Sequence, residues 1–318
     1  MKDKNTKKGL IVLLLIVAVA ITMGTFKLVS KKSDNLLQSE RFTSKKIVNF
    51  NKKLKPYIAV IYINGVIQEK GNQYNQAWLL DKIESLKNDE KNKGILLFID
   101  SPGGAVYQSD EAYLKLIDYK NTGKKIYSYF GSLAASGGYY IALAGDKIFA
   151  NRNTLTGSIG VISASTIDAT ALLEKIGIKS LTIHAGKNKN MFNYNEKATD
   201  EQIKIMQSIA DEAYEQFTQI VSESRKMNIK KVQQLADGRI YTAKQAKELN
   251  LIDEICTFEQ AKNKIKEDFD NNELNFKGFR YEKNENLRSL LFESLSFIKS
   301  PQSVFLQNAP LSYIYIAK

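Results

Sequence analysis

From Tyr57 onward, short β-branched apolar runs alternate with segments whose apolar residues recur every three or four positions. That alternation constrains the fold more than any other feature of the chain. "YIAVIYINGVI" (57–67) reads as a strand closing on an Asn64-Gly65 turn, "AWLLDKIESLKND" (77–89) as a helix, and "GILLFID" (94–100) as a buried parallel strand. "AYLKLIDYK" is helical and "KIYSYF" strand-like. The segment after Ser136 is helical again, and "KIFA" and "GSIGVI" read as further strands. Buried strands separated by helices imply an α/β fold whose functional loops lie at strand ends. From Thr199 to about Met227 the pattern predicts one long amphipathic helix, with Ile203, Met206, Ala210, Tyr214, Phe217 and Val221 on its apolar face. Residues 236–255 then read as a turn, a short strand, a helix and a closing strand.

The segment before Tyr57 differs in kind. Lys2, Lys4, Lys7 and Lys8 lead into an uncharged run from Gly9 to Phe26, long enough to span hydrocarbon. Apolar residues continue past the small-residue stretch Ala18–Ala20, which favours a retained anchor over a cleaved signal. Lysines on both sides of the run give the positive-inside rule only a lean toward a cytoplasmic N-terminus. The net charge of +12 does not point to nucleic acid, because only 6 of the 46 basic residues are arginine, the residue suited to bidentate phosphate contacts. Cys256 is the only cysteine, so an internal disulfide is excluded. With one His and one Cys, nothing in the chain has metal-ligand spacing, and no cofactor is expected.

Two stretches are candidates for chemistry. In "GSLAASGGYYIALAG" (131–145), Ser136 sits among alanines and glycines that let other backbone come close. As a nucleophile it would need donors for an oxyanion and a base. As a structural residue it would cap a helix. "FIDSPGGAV" (98–106) ends a strand in a turn that can aim successive N–H groups at one point, and Gly137 offers another donor. A Ser/His/Asp triad would have to run through His184, the only histidine, in "SLTIHAGKNKN". The same stretch carries Lys187 and Lys189. A lysine acts as base where its surroundings bring its amine toward neutrality.

"DSPGG", "GSLAASGGYYIALAGDKIFA", "TLTGSIGV" and "DGRIYTAKQAKELNLIDE", in that order, resemble the motifs of the signal peptide peptidase A family, bacterial serine/lysine peptidases of the Clp protease/crotonase fold. The resemblance covers roughly residues 57–256. It implies a repeated ββα core, with Ser136 as nucleophile, Gly104 or Gly103 together with Gly137 as oxyanion donors, and Ser158 orienting the lysine amine. The family's small-Gly-x-x-Lys-Asp pattern matches Ala185–Asn190 and selects Lys189 over Lys187, with Asn190 standing where Asp is usual. The expected organisation is a cytoplasmic N-terminus (1–8), a transmembrane helix (9–26), a stalk (27–56), a catalytic α/β domain (57–258) and a C-terminal extension (259–318).

The implied function is hydrolysis of apolar signal-peptide remnants by a single-pass protein of the bacterial cell membrane, with its catalytic domain outside the cytoplasm. The alternatives are a related peptidase cutting an intact membrane protein, an acyl-CoA enzyme of the same fold, and a scaffold without activity. The membrane and apolar peptides are the expected partners. Double-length members of the family, which bring nucleophile and lysine from different halves, imply for this single-core chain a ring of identical subunits that share sites between neighbours. The apolar tail "SVFLQNAPLSYIYIAK" has the character of the expected substrate, so it would either pack on a neighbour or occupy the groove.

Overall fold

The computed structural model describes residues 55–283 and the backbone of 312–314, within one compact unit that begins at Lys55. The backbone turns from strand to helix where the periodicity changes. β1 (Tyr57–Asn64), β2 (Asn92–Ser101) and β4 (Lys125–Ala135) pair in parallel at the centre of an eight-stranded sheet. α1 (Gln76–Lys87) and α2 (Val106–Lys120) make the crossovers between them. A short strand, β3 (Gly103–Ala105), sits between β2 and α2 and stays out of the large sheet. α3 (Gly137–Ala142) comes directly after β4.

β5 (Lys147–Ala150) and β6 (Leu155–Gly157) both pair with β4, along different parts of its length. The strand read at "GSIGVI" is displaced: β6 ends at Gly157, because Ser158 turns the chain with φ 50°. After α4 (Thr170–Lys175) and the long α5 (Asp200–Arg225) come α6 (Ile229–Leu235), β7 (Ile240–Thr242), α7 (Ala243–Glu248) and β8 (Glu254–Ile255). α8 (Phe258–Asp268) leads to β9 (Asn275–Arg280), which adds a parallel edge beside β1. β10 (Ser312–Ile314) pairs antiparallel with β3, apart from the main sheet.

Both faces of the sheet are covered, as near-continuous apolar strands require. Alternate residues of β1 show it. Ala59, Ile61 and Ile63 join Ile95, Leu97, Ile99 and Phe130 in the larger core under α1, α2 and α3. Ile58 and Val60 face the other way, joining Leu96, Tyr127 and Tyr129 under Ala261 and Ile265 of α8. α5 starts on a capping box, with the Thr199 side chain accepting from Gln202 N. Its buried residues, Ala213, Phe217, Thr218 and Val221, all lie in its second half, while Ile203 in its first half is 49% exposed.

One expectation is overturned, that of an α/β domain with an N-terminal transmembrane helix. The described fold is a mixed α/β domain. Among the described residues no helix is long and apolar enough to cross a membrane. Residues 9–26, where the sequence places the span, lie outside the described residues. The anchor, the membrane as partner and the single-pass location with an extracytoplasmic domain therefore form no part of the functional reading.

Candidate active site

The site is built where β4 stops. β2 and β4 run in step to the Ile99–Phe130 pair, and the next pair is Ser101–Ala134, so three residues of β4 oppose Asp100 alone. Such a bulge bends a strand and re-aims the residues beyond it. Asp100 fills it, its Oδ1 accepting from Ser132 Oγ at 2.6 Å and from Leu133 N at 3.0 Å. Three residues later the chain enters Ser136 with φ 54° and ψ −118°, a conformation that costs an L-residue on the order of 1–3 kcal/mol. Backbone bonds hold it there. Ser136 N donates to Gly157 O at 2.8 Å, and Tyr140 N donates to Ser136 O at 2.9 Å. Ser136 occupies the N-cap position of α3, yet its side chain makes no capping bond, so helix capping does not account for the hydroxyl. The residue is only 1% exposed.

The glycines meet Ser136 from two directions. A Cβ on Gly137 would collide with Ser109 Oγ and come within 3.2 Å of Gly104 N and 3.4 Å of Gly103 Cα. A Cβ on Gly104 would collide with the Ile67 carbonyl. The orientation of Gly104 is set by its neighbours. Ile67 N donates to Gly103 O and Ala105 N donates to Ile67 O, each at 2.8 Å, so the flanking peptide groups face Ile67. Strand alternation then turns the N–H and C=O of Gly104 the other way, toward the side where β10 lies with Tyr313 opposite Gly104. Ser158, 8% exposed and with φ 50°, comes after the Gly157 whose carbonyl holds Ser136, and its own N donates to Arg239 O. Ser136, Gly103, Gly104, Gly137 and Ser158 are thus gathered at one end of the sheet.

The candidate bases are not gathered with them. Lys189 lies on an exposed loop, and among the described residues its amine forms no hydrogen bond or ion pair, with Ser136 or any other group. Lys187 is paired with Glu201, and this bond, with help from Asn188, holds the Glu201 carboxyl below its ordinary range. His184 is exposed, with Nδ1 3.1 Å from Gly186 O in its own loop. A triad through His184 is not assembled within the chain. The whole stretch is poorly buried: Ile167, Leu181 and Ile183 are 75%, 85% and 91% exposed. Cys256 stands elsewhere, beside the opposite face of the sheet, where burial pushes its thiol up. Among the described residues no group of acidic, His or Cys side chains is placed to hold a metal.

Reading the sequence missed Asp100, Ser101 and Ser109. Asp100 and Ser101 stand inside a motif that was singled out only for its glycines. Ser109 is one turn into α2 and carried no signal, since what matters is its contact with Gly137, a residue far along the chain.

A serine on a strained strand-to-helix turn, with glycine backbone from a second loop close by, is an arrangement that hydrolases also use to expose a nucleophile. The chain matches the model of peptidase family S49 over residues 118–272. It is 39% identical over 218 residues to a putative signal peptide peptidase of Enterococcus faecium, covering 66% of this chain and 63% of that one. It is 40% identical over 182 residues to a putative protease of Synechocystis, covering 57% and 65%. A chloroplastic serine protease of Arabidopsis thaliana is 34% identical over 194 residues, 61% of this chain and 28% of that one. The chain thus spans less than two thirds of the length of each of these relatives, and little more than a quarter of the Arabidopsis protein. Among solved structures, a mutant ClpP1 of Listeria monocytogenes aligns with TM-score 0.42 at 18% identity, over 63% of this chain and 92% of that one. That likeness is too slight to carry an argument.

Proposed function

We propose that the protein is a serine endopeptidase that binds extended apolar peptides along β3 and cleaves them with Ser136. The observation that carries this reading is β10. The chain's own residues 312–314 pair antiparallel with Gly103–Ala105, so the edge that faces Ser136 and Gly137 accepts a strand. In the proposed reaction, a neutral Lys189 amine takes the proton from Ser136 Oγ as the oxygen attacks the peptide carbonyl. The backbone N–H groups of Gly104 and Gly137 receive the oxyanion, with Gly103 shaping the loop. The departing amine takes the proton from the lysine, leaving an ester on Ser136. Water, activated by the Lys189 amine, attacks that ester, and the proton passes from the lysine to Ser136 Oγ as the acyl–oxygen bond breaks. Ser158 orients the lysine.

Lys189 would come from a second copy of the chain. The exposed amine, the bare first half of α5 and the run of exposed Ile and Leu around them support an assembly in which a neighbour covers this stretch. Such an arrangement is head-to-tail and closes as a ring. The description of a relative as a signal peptide peptidase accords with apolar peptide substrates. A scaffold without activity is disfavoured by the strain at Ser136, which capping does not repay. A fluorophosphonate reagent tests the proposal. It is expected to label the full chain and to leave Ser136→Ala unlabelled, and an unlabelled wild-type chain would overturn it.

A further inference from the structure

Ser101 is fully buried, and its hydroxyl is used twice. Oγ donates to Gly65 O at 2.6 Å and accepts from Gly103 N at 3.1 Å. The bonds bear on the two segments that meet at Gly103, one through the Gly65 carbonyl and the other through the Pro102–Gly103 peptide. Gly103 sits at φ +99°, a conformation open to glycine, so its own torsions do little to keep the next peptide plane from turning over. Just before that plane, Ser101 Oγ accepts from the N–H of the Pro102–Gly103 peptide and anchors Gly103 on its N-terminal side; within the plane itself, Ile67 N donates to the Gly103 carbonyl. The second also leads back to Ser101, because Gly65, two residues before Ile67, is held by the Ser101 hydroxyl at its carbonyl and by Asp100 O at its N–H. Ser101 packs equally close to the other donor loop, since a Cβ on Gly138 would lie 3.2 Å from Ser101 O and 3.4 Å from Ser101 Cβ.

We propose that Ser101 is a positioning residue of the oxyanion hole: its hydroxyl fixes the Gly103–Gly104 peptide so that the Gly104 N–H faces the space beside Gly137. It touches no substrate. It acts by keeping one donor aimed before the reaction begins, which is what makes such a donor effective. The inference rests on the peptidase reading, and the two fail differently. If wild-type protein is not labelled by a fluorophosphonate, the peptidase reading falls. If wild type is labelled, the comparison with Ser101→Ala tests this inference alone.

Ser101→Ala is expected to keep native circular dichroism, to be labelled roughly 10- to 100-fold more slowly than wild type, and to lose kcat on a peptide by a similar factor. Its KM should stay within about threefold, because the donor matters when charge develops on oxygen and not when the peptide docks. A folded Ser101→Ala protein labelled at the wild-type rate would overturn the proposal, as would a loss confined to KM. Ser101→Cys guards against a variant that fails to fold. It preserves the shape and weakens both hydrogen bonds, so it is expected to show reduced kcat at unchanged KM. Wild-type kcat in Ser101→Cys would overturn the proposal equally.

Discussion

The turn around Ser136 and the stretch around Lys189 belong to one chain and are built in opposite ways. Ser136 is buried, strained, and held by bonds from Gly157 and Tyr140, with a bulge filled by Asp100 just before it. Lys189 stands on an exposed loop, in a stretch whose Leu181 and Ile183 are also exposed. Strain persists only where the surroundings over-determine it. Exposed aliphatic surface persists where something else covers it. In the proposed mechanism, the serine's half of the site is assembled within a chain, and the lysine's half would be supplied by a neighbour.

The strongest way to break this comparison is to remove its two ends. Ser136→Ala should abolish turnover. Lys189→Ala should lower kcat by roughly a hundred- to ten-thousand-fold, the range of general base catalysis, while fluorescence and circular dichroism stay native. A folded His184→Ala enzyme with no activity would replace the lysine with a triad. On the nucleophile side, Gly137→Ala puts a methyl against Ser109 Oγ and Gly104 N, and kcat should fall roughly 100- to 1,000-fold with the fold intact by thermal melting.

Deleting residues 301–318 sharpens the comparison from the substrate's side. β10 occupies the strand edge proposed for peptides, so turnover of a short peptide should rise several-fold at low substrate and converge with wild type at saturation. Unchanged kinetics would mean the tail does not compete. The smallest effects on the single chain are expected on the exposed side. Leu181→Asp and Ile183→Asp should change its unfolding free energy by no more than about 0.5 kcal/mol, as surface substitutions do. They should nevertheless shift sedimentation toward smaller species. Lys187→Ala, which loses only its surface pair with Glu201, should leave kcat within about twofold.

The difference between the two regions also explains what the sequence could disclose. Strands and helices around the nucleophile arise from periods of two and 3.6, and Ser136 and its glycines stand out because small residues cluster there. The order of strands is less legible. That β5 and β6 both pair with β4 depends on the bulge at residues 131–133, which no local pattern announces. The strand expected through "GSIGVI" stops early because Ser158 takes a positive φ, a choice imposed by its bond to Arg239. Ser101 and Ser109 act across long stretches of chain, so their roles appear only with the fold. On the α5 helix, periodicity marks an apolar stripe along its whole length. It does not tell that the second half is covered by this chain and the first half is not.

Mixing two inactive proteins tests the shared site most directly. Ser136→Ala and Lys189→Ala chains, each purified, inactive and carrying a different tag, are co-assembled, and mixed oligomers are isolated through both tags. If Ser136 of one copy works with Lys189 of another, some interfaces combine an intact serine with an intact lysine, and the mixed oligomers regain part of the wild-type peptide turnover. Mixed oligomers that remain wholly inactive would contradict the shared site and put serine and base within a single chain.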